Sequence, residues 1–415
     1  MIVMRLREFF IYSFCIGVVF LFFSCSSIPV QDSSQDMPHE VDSTEDDIKE
    51  DGSPILILPP EKAVPATSRL VLTFGGDIMA HTPNFSMADY SMIYADIEEI
   101  IQNDDLTFAN LETPVHDGRP YENYPTFNVQ PPYAQAAIDA GFDVFSLANN
   151  HTNDQGLEGM ERTLAFFQSK EAEGVYAAGI KPAGHKGFTY QLIEKDDWKI
   201  LFVAVTEILN SFTDYQKLDY VAPSASRRKT LFQELAQLRE ENPCDVFVLS
   251  LHTCEDEYVH EITQVRRNFY RSLLDSGVDF VWANHPHLAK EWEVFRAQDE
   301  DFPHAMAMYA LGNTISGQRT NPQFTKPETN RDYTGDGYLI QVVLEKDEAD
   351  SDFRITDITP HLITTYIDEN KNYLIRRLNE GFIQELRNEG NEKWANYLAA
   401  RKALMEKIGR KDVVR

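Results

Sequence analysis

The sequence predicts an α/β domain built on a largely parallel sheet. Three observations carry this. Short apolar runs rich in strand formers recur along the chain, and helical stretches of ten or more residues separate several of them. Hydrophobic residues make up 43% of the 415 positions, enough for a sizeable core and too many for global disorder.

The first element, 1–25, is a targeting segment. Arg5 and Arg7 precede an apolar run over 9–23 that is short for a membrane span and stops at Ser24, Cys25, Ser26 and Ser27. A basic start, an apolar middle and small residues at the end describe an export signal. The stretch LFFSC resembles a bacterial lipoprotein lipobox with Cys25 as the acylated residue, although Phe22 and Phe23 are bulkier than the usual pattern. An uncleaved short anchor and plain secretion are the alternatives. Residues 26–67 are rich in Ser, Asp, Glu and Pro and read as an acidic, solvated tether whose like charges keep it extended. The resulting expectation is an exported cell-envelope protein held to a membrane by a lipid anchor.

The folded body is expected over 68–365. A strand at 69–74 is closed by Gly75, Gly76 and Asp77. A helical stretch follows around 89–102, then a strand at 106–109, a helix at 133–140, a strand at 143–147 and an amphipathic helix at 157–170. Strands are expected at 174–178, 187–193 and 199–206, and a long helix at 224–241. Strand 245–251, helix 262–276 and strands 279–283, 290–295 and 305–311 come next, and a hairpin-like pair at 337–345 and 353–360 ends the body. From 366 to 415 the spacing predicts a helical appendage. Residues 373–386 form one helix, and 393–408 form another with Trp394, Tyr397, Leu398, Leu404 and Ile408 along one face. A partner-binding helix pair is the other reading of this tail. There is no internal repeat.

Charge narrows the partners. The formal net charge is −28, with 66 acids against 38 bases and no basic stripe, which argues against nucleic acid. It also argues against unaided attraction to an anionic membrane surface or polymer, unless a bound cation changes the field locally. Of the four cysteines, Cys15 and Cys25 lie in the signal. Cys244 and Cys254 flank the strand at 245–251, which holds them roughly 30 Å apart, beyond disulfide reach. Free thiols are expected.

The polar residues fall in a pattern. LVLTFGG ends in Asp77, LTFANL in Glu112, DVFSLAN in Asn150 and His151, DVFVLSL in His252, DFVWAN in His285 and His287, and AMYAL in Gly312 and Asn313. Ligands in open α/β sheets bind at the carboxyl ends of the strands, and these residue types coordinate divalent cations. Each has a plain reading as well: Asp77 and Asn150 as caps, Glu112 as a surface acid, His151 and His252 as structural polar groups. In an extended segment stiffened by Pro286, His285 and His287 point to the same side. The stretch SLANNHTNDQG holds more polar groups than a turn requires. Asp154 there serves either to orient His151 or to cap the helix near Leu157.

At these residues the sequence resembles the CapA-type, poly-γ-glutamate capsule synthesis family of the calcineurin-like metallophosphoesterase superfamily. FGGDIM, FANLETPV, SLANNHTNDQG, LSLH followed by EY, ANHPHLAKEWEVF and MYALGNTISGQ occur in the expected order. The resemblance implies a four-layer α/β/β/α sandwich with a site for one or two divalent ions (Mn, Fe or Zn). It implies metal ligation by Asp77, Glu112, Asn150, His252, His285 and His287, and it makes His151 an acid near the leaving group. There are two departures. Ordinary phosphoesterases have Asp-x-His in the first motif, and here Met79 stands where the His would be. Thr253 and Cys254 replace Trp-Gly after His252, and Glu257 and Tyr258 arrive one residue late.

Two functions follow as expectations. One is a metal-dependent hydrolase of a phosphate ester or cell-envelope polymer, in which His151 protonates the leaving oxygen, with Arg319 or Arg331 either binding an anion or lying as solvated charges. The other is a non-catalytic accessory protein in capsule or poly-γ-glutamate assembly or export, favoured by the thioether at Met79, a poor ligand for a hard ion. A scaffold acting through the helical tail is a third reading.

Overall fold

Side-chain alternation along the strands sorts the apolar residues into three cores, and these cores separate four layers. The computed structural model describes residues 67–347 and 352–415. The expected signal, Cys25 and the tether up to residue 66 lie outside the described residues. In chain order the strands are β1 (Thr67–Ile78), β2 (Leu106–Leu111), β3 (Val144–Ser146), β4 (Tyr176–Ala178), β5 (Tyr190–Lys195), β6 (Trp198–Thr206), β7 (Val246–His252), β8 (Phe280–Asn284), β9 (Trp292–Arg296), β10 (Ala305–Met308), β11 (Asn313–Ile315), β12 (Asp336–Asp347), β13 (Arg354–Ile367), β14 (Tyr373–Arg377) and β15 (Arg410–Val414).

One sheet runs β14-β13-β12-β1-β2-β3-β4, with β11 also paired to β1. The other runs β15-β9-β10-β8-β7-β6-β5. On β6, Ile200, Phe202 and Ala204 face the opposite sheet, while Leu201, Val203 and Val205 face helices. The inner faces meet through aromatic rings: Phe74 lies 4.8 Å from Phe108 and 5.6 Å from Phe280, centroid to centroid. Leu231, Leu235, Phe269 and Leu273, on the helices Ala225–Glu241 and Gln264–Asp275, cover the outside of the second sheet. The helices Pro131–Ala140, Gly156–Gln168, Glu380–Asn388 and Glu392–Met405 cover the first through residues such as Ala137, Met160, Ile383 and Leu398. This is the α/β/β/α order that the family resemblance implies.

Local chemistry sets the helix starts. The side chains of Ser224, Thr263 and Asn379 accept hydrogen bonds from Arg227 N, Arg266 N and Phe382 N. Pro131 occupies a first-turn position, where its missing N–H costs nothing.

The structure departs from the sequence expectation in three places. The stretch 89–102 forms only the short turns Ser91–Ile93 and Glu98–Ile101. Asp89 accepts from Ser91 N, and Asp96 accepts from the distant Arg377 N, so acidic side chains serve other backbone groups than a continuous helix would supply. The run expected at 305–311 ends at Met308. After Gly312, in the left-handed region at φ +78, the chain crosses to the other sheet as β11. Residues 373–377 are strand β14, with Tyr373 and Ile375 buried at period two, and the helix begins only after the Asn379 cap.

The segment from 366 is therefore more than a helical appendage, because β14 and β15 extend the two sheets and belong to the same unit as the sandwich. On its last helix the fully buried positions include Arg401 and Met405, while Leu404 and Ile408 are half-buried. Arg401 tolerates burial because its Nε donates to Asp336 Oδ2 at 2.6 Å. Cys244 and Cys254 are free thiols.

Candidate metal centre

The register of the parallel strands brings the polar ends together. Asp77 pairs with Asn110 of β2 on one side and Asn313 of β11 on the other. In the second sheet Thr206, His252 and Asn284 stand side by side. The two glycines before Asp77 make this crowding possible. A Cβ on Gly76 would lie 1.9 Å from Gly312 O, and the bare backbone instead lets Asp77 N donate to that oxygen at 3.1 Å. Trp282 Nε1 donates to Gly75 O across the two sheets at 2.8 Å.

All six expected ligands converge in one buried cluster. Asp77 Oδ1 accepts from Asn110 Nδ2 at 2.8 Å, and Oδ2 lies 3.0 Å from His287 Nδ1. Glu112 Oε2 accepts from the same amide at 3.2 Å. Glu112 Oε1 has no hydrogen-bond partner and lies 3.7 Å from both His252 Nε2 and His287 Nε2. His252 Nε2 is 2.8 Å from Asn150 Oδ1. The His285 ring sits 4.9 Å from His252 and 5.8 Å from His287, and its Nδ1 also lacks a partner. Three donor sets overlap here: Asp77, Glu112 and His287; Glu112, His252 and His285; and Glu257, His285 and His287. Within each, the ligand atoms lie within 4.8 Å of one another.

The segment carrying the paired histidines is not extended. His285 and His287 have φ of +103 and +57, so their rings meet because the backbone turns at both, not because of period-two alternation. Tyr258, which donates its N–H to Pro286 O at 3.0 Å, has φ +62. Left-handed non-glycine residues cost about 1–3 kcal/mol each and persist where the surroundings over-determine them.

Electrostatics fit a cation. Burial, reinforced by the neighbouring imidazoles, holds His252 and His285 well below the ordinary histidine pKa, so they present neutral lone pairs. Burial, with Asp77 and Glu257 nearby, pushes Glu112 well above the carboxylate range. A carboxylate oxygen and an imidazole nitrogen, each buried without a partner beside further carboxylates, form a donor set matched to a divalent ion with mixed oxygen and nitrogen preference.

His151 stands at the edge of this cluster. Its Nδ1 is 2.7 Å from Asp154 Oδ2, which also accepts from Phe127 N at 2.8 Å, and the Phe127 ring packs 4.7 Å away. Asp154 therefore orients His151. The cap of the following helix is Gln155, which makes no side-chain cap bond. The crowded loop is explained as well. Asn149 Nδ2 donates to Leu111 O at 2.9 Å and Asn149 Oδ1 accepts from His151 N at 3.1 Å, so Asn149 braces the turn while Asn150 faces the cluster.

A cleft of about 650 Å³ opens onto the cluster, lined by residues including His81, His151, Glu257, Tyr258 and Arg331. Met79 is buried in its wall and donates no nitrogen there. Arg319 is neither a surface charge nor an anion site: it is fully buried, with Nη1 2.8 Å from Asp336 Oδ1. Beneath Thr253 and Cys254, the buried Glu207 carboxylate bridges Arg228 and Arg266, at 2.6 and 2.5 Å, and fills out the wall beside His252. Sequence reasoning did not single out Asn110 or His81 for the site; it took Asn149 only as one of the polar groups a plain turn would not need, and Glu257 only as a displaced motif residue. Asn110 was within reach, because Asn110 and Glu112 stand two apart on the same strand end.

Residues 71–318 match the family described as Bacterial capsule synthesis protein PGA_cap. The chain is 23% identical over 326 residues to the capsule biosynthesis protein CapA of Bacillus anthracis, covering 74% of this chain and 72% of that protein. It is 24% identical over 280 residues to the PGA biosynthesis protein CapA of Bacillus subtilis (strain 168), covering 66% of each. Among solved structures it is similar to the calcineurin-like phosphoesterase YfkN from Bacillus subtilis, at 14% identity and a TM-score of 0.38, over 80% of this chain and all of that one (100%).

Proposed function

This chain belongs to the bacterial capsule synthesis protein family PGA_cap, and from that membership we propose that it is an envelope-tethered, metal-dependent hydrolase acting on a phosphate ester or a related bond of an anionic envelope polymer. The observation that carries the reading is the orphaned Glu112 Oε1, shared by two overlapping donor sets at the floor of an open cleft. Asp77, Glu112, Asn150, His252, His285 and His287 would hold the metal, with Glu257 at the cleft side. Bound divalent cations supply Lewis acidity toward a phosphoryl or acyl oxygen and acidify water. Asp154 engages His151 Nδ1, which leaves Nε2 as the atom that passes a proton to the leaving oxygen. The Phe127 edge fixes the ring and shields it from water.

The accessory reading has one observation in its favour: Met79 replaces an expected nitrogen donor. Metal quantification coupled to a hydrolase panel separates the two. The hydrolase reading expects at least one equivalent of Mn, Fe or Zn after gentle purification, and turnover of phosphomonoesters, phosphodiesters or γ-glutamyl amides. Retained metal with no turnover on any of them selects the accessory role. Absence of metal overturns the enzyme. For the tether, labelled fatty acid is expected to enter the wild type and not Cys25→Ser, and an unlabelled wild type defeats the lipid anchor.

A further inference from the structure

Among the described residues lining the cleft, Arg331 is the one that carries a fixed positive charge, and the mechanism above does not use it. Its setting differs from that of the arginines buried elsewhere in the fold. Arg319 and Arg401 are buried on the Asp336 carboxylate, and Arg228 and Arg266 converge on Glu207. Arg331 is exposed and lies over the Tyr258 ring, Cζ 5.1 Å from the centroid. No described carboxylate pairs with it, in a chain where acids outnumber bases 66 to 38. A guanidinium in that position is a ready fork for an incoming oxyanion.

The segment that presents it is pre-organised. Asn330 Nδ2 donates to Tyr258 O at 3.1 Å, and Asp332 Oδ1 accepts from Tyr397 OH at 2.6 Å. Arg401 Nη1 donates to Pro327 O at 2.6 Å, and Phe324 packs edge-on against Trp394 at 5.2 Å. Tyr397, Arg401 and Trp394 lie on the helix Glu392–Met405, beyond the family match, whereas Tyr258 lies within it. His81 also lines the cleft, and its Nδ1 accepts from Gly317 N at 3.2 Å, which places the ring proton on Nε2 and makes that atom a neutral donor. Tyr258 stands between Arg331 and the metal cluster, its ring 6.2 Å from that of His287. The guanidinium therefore addresses a group beyond the one that reacts.

We infer that Arg331 determines substrate specificity, and that the substrate carries a second oxyanion, a carboxylate or a phosphate, a short spacer away from the group held at the Glu112 cluster. This rests on the metal reading above. The test uses the intact protein loaded with manganese, titrated calorimetrically with ethylphosphonate, 3-phosphonopropionate, 4-phosphonobutyrate and propane-1,3-diphosphonate. At least one doubly functional compound is expected to bind the wild type roughly tenfold tighter than ethylphosphonate. Whether the carboxylate or the phosphonate arm gains identifies the oxyanion. In Arg331→Met that preference collapses at unchanged manganese stoichiometry, and Arg331→Lys recovers part of it. A wild type that holds manganese but binds all four alike, or a preference that survives in Arg331→Met, overturns the inference and leaves the metal reading standing. A wild type that holds no manganese overturns the metal reading and this inference with it.

Discussion

Replacing Glu112 by Gln is expected to reverse sign with metal. In the metal-free protein Glu112 Oε1 is buried without a partner, beside the Asp77 carboxylate that helps raise its pKa. An unsatisfied buried polar atom costs about 1–3 kcal/mol. A Gln side chain removes the acid and brings an N–H₂ toward His287 Nε2, 3.7 Å from the present oxygen, whose lone pair is open because His287 Nδ1 faces Asp77 Oδ2. Metal-free Glu112→Gln is therefore expected to be more stable than the metal-free wild type by about 1–3 kcal/mol. The same change removes the anionic oxygen common to two donor sets. A ligand at a hundredfold excess over its Kd stabilises by about 2.7 kcal/mol, and most of that gain is lost in the variant. Urea denaturation of both proteins, with a chelator and with manganese, gives the four free energies. A metal-free variant less stable than the metal-free wild type refutes the unsatisfied-oxygen argument. Equal manganese stabilisation of the two proteins refutes Glu112 as a shared ligand.

Three further outcomes are expected. His252→Ala and His287→Ala lower the metal content, whereas His151→Ala keeps it and lowers turnover about 10²–10⁴-fold, as read by metal analysis and kinetics together. Asp336→Asn loses about 3–5 kcal/mol in chemical denaturation, because the buried carboxylate that takes Arg319, Arg401 and Thr364 would leave two guanidinium groups unmatched. Burial pushes Asp104 up to about 7 and Asp143 up to about 6, above their unfolded values, so the folded chain binds the extra protons. Stability from this pair is fully present at acid pH and is lost as pH rises from about 4 to 7, and Asp104→Asn should flatten that slope in denaturation at stepped pH.

The strand ends were legible because each apolar run stops at a residue whose chemistry does not suit a core. Asp77, Glu112, Asn150, His252, His285 and His287 stand out in one dimension and meet in three. What sets their geometry was not legible. The close approach of Gly76 to Gly312 joins residues more than two hundred positions apart, and no local pattern announces it. The positive φ values at His285 and His287 belong to loop 285–291, which turns back between β8 and β9, and nothing in the sequence around Pro286 specifies that turn. Glu257 was read only as a displaced motif residue, yet its carboxylate faces the paired histidines. The tail misled for a simpler reason. Over 373–377, period two and period 3.6 both fit so short a run, and partner strand β13 decides between them.

The strands that follow the family match have a practical meaning for anyone cutting the gene. The family match stops at residue 318, but β12 zips along β1 from Thr67 to Phe74, and β15 runs beside β9 from Trp292 to Arg296. A fragment bounded by the match would bare two long rows of unpaired backbone donors and acceptors, which invites edge-to-edge aggregation. The evolutionary module and the unit that folds are different lengths of this chain.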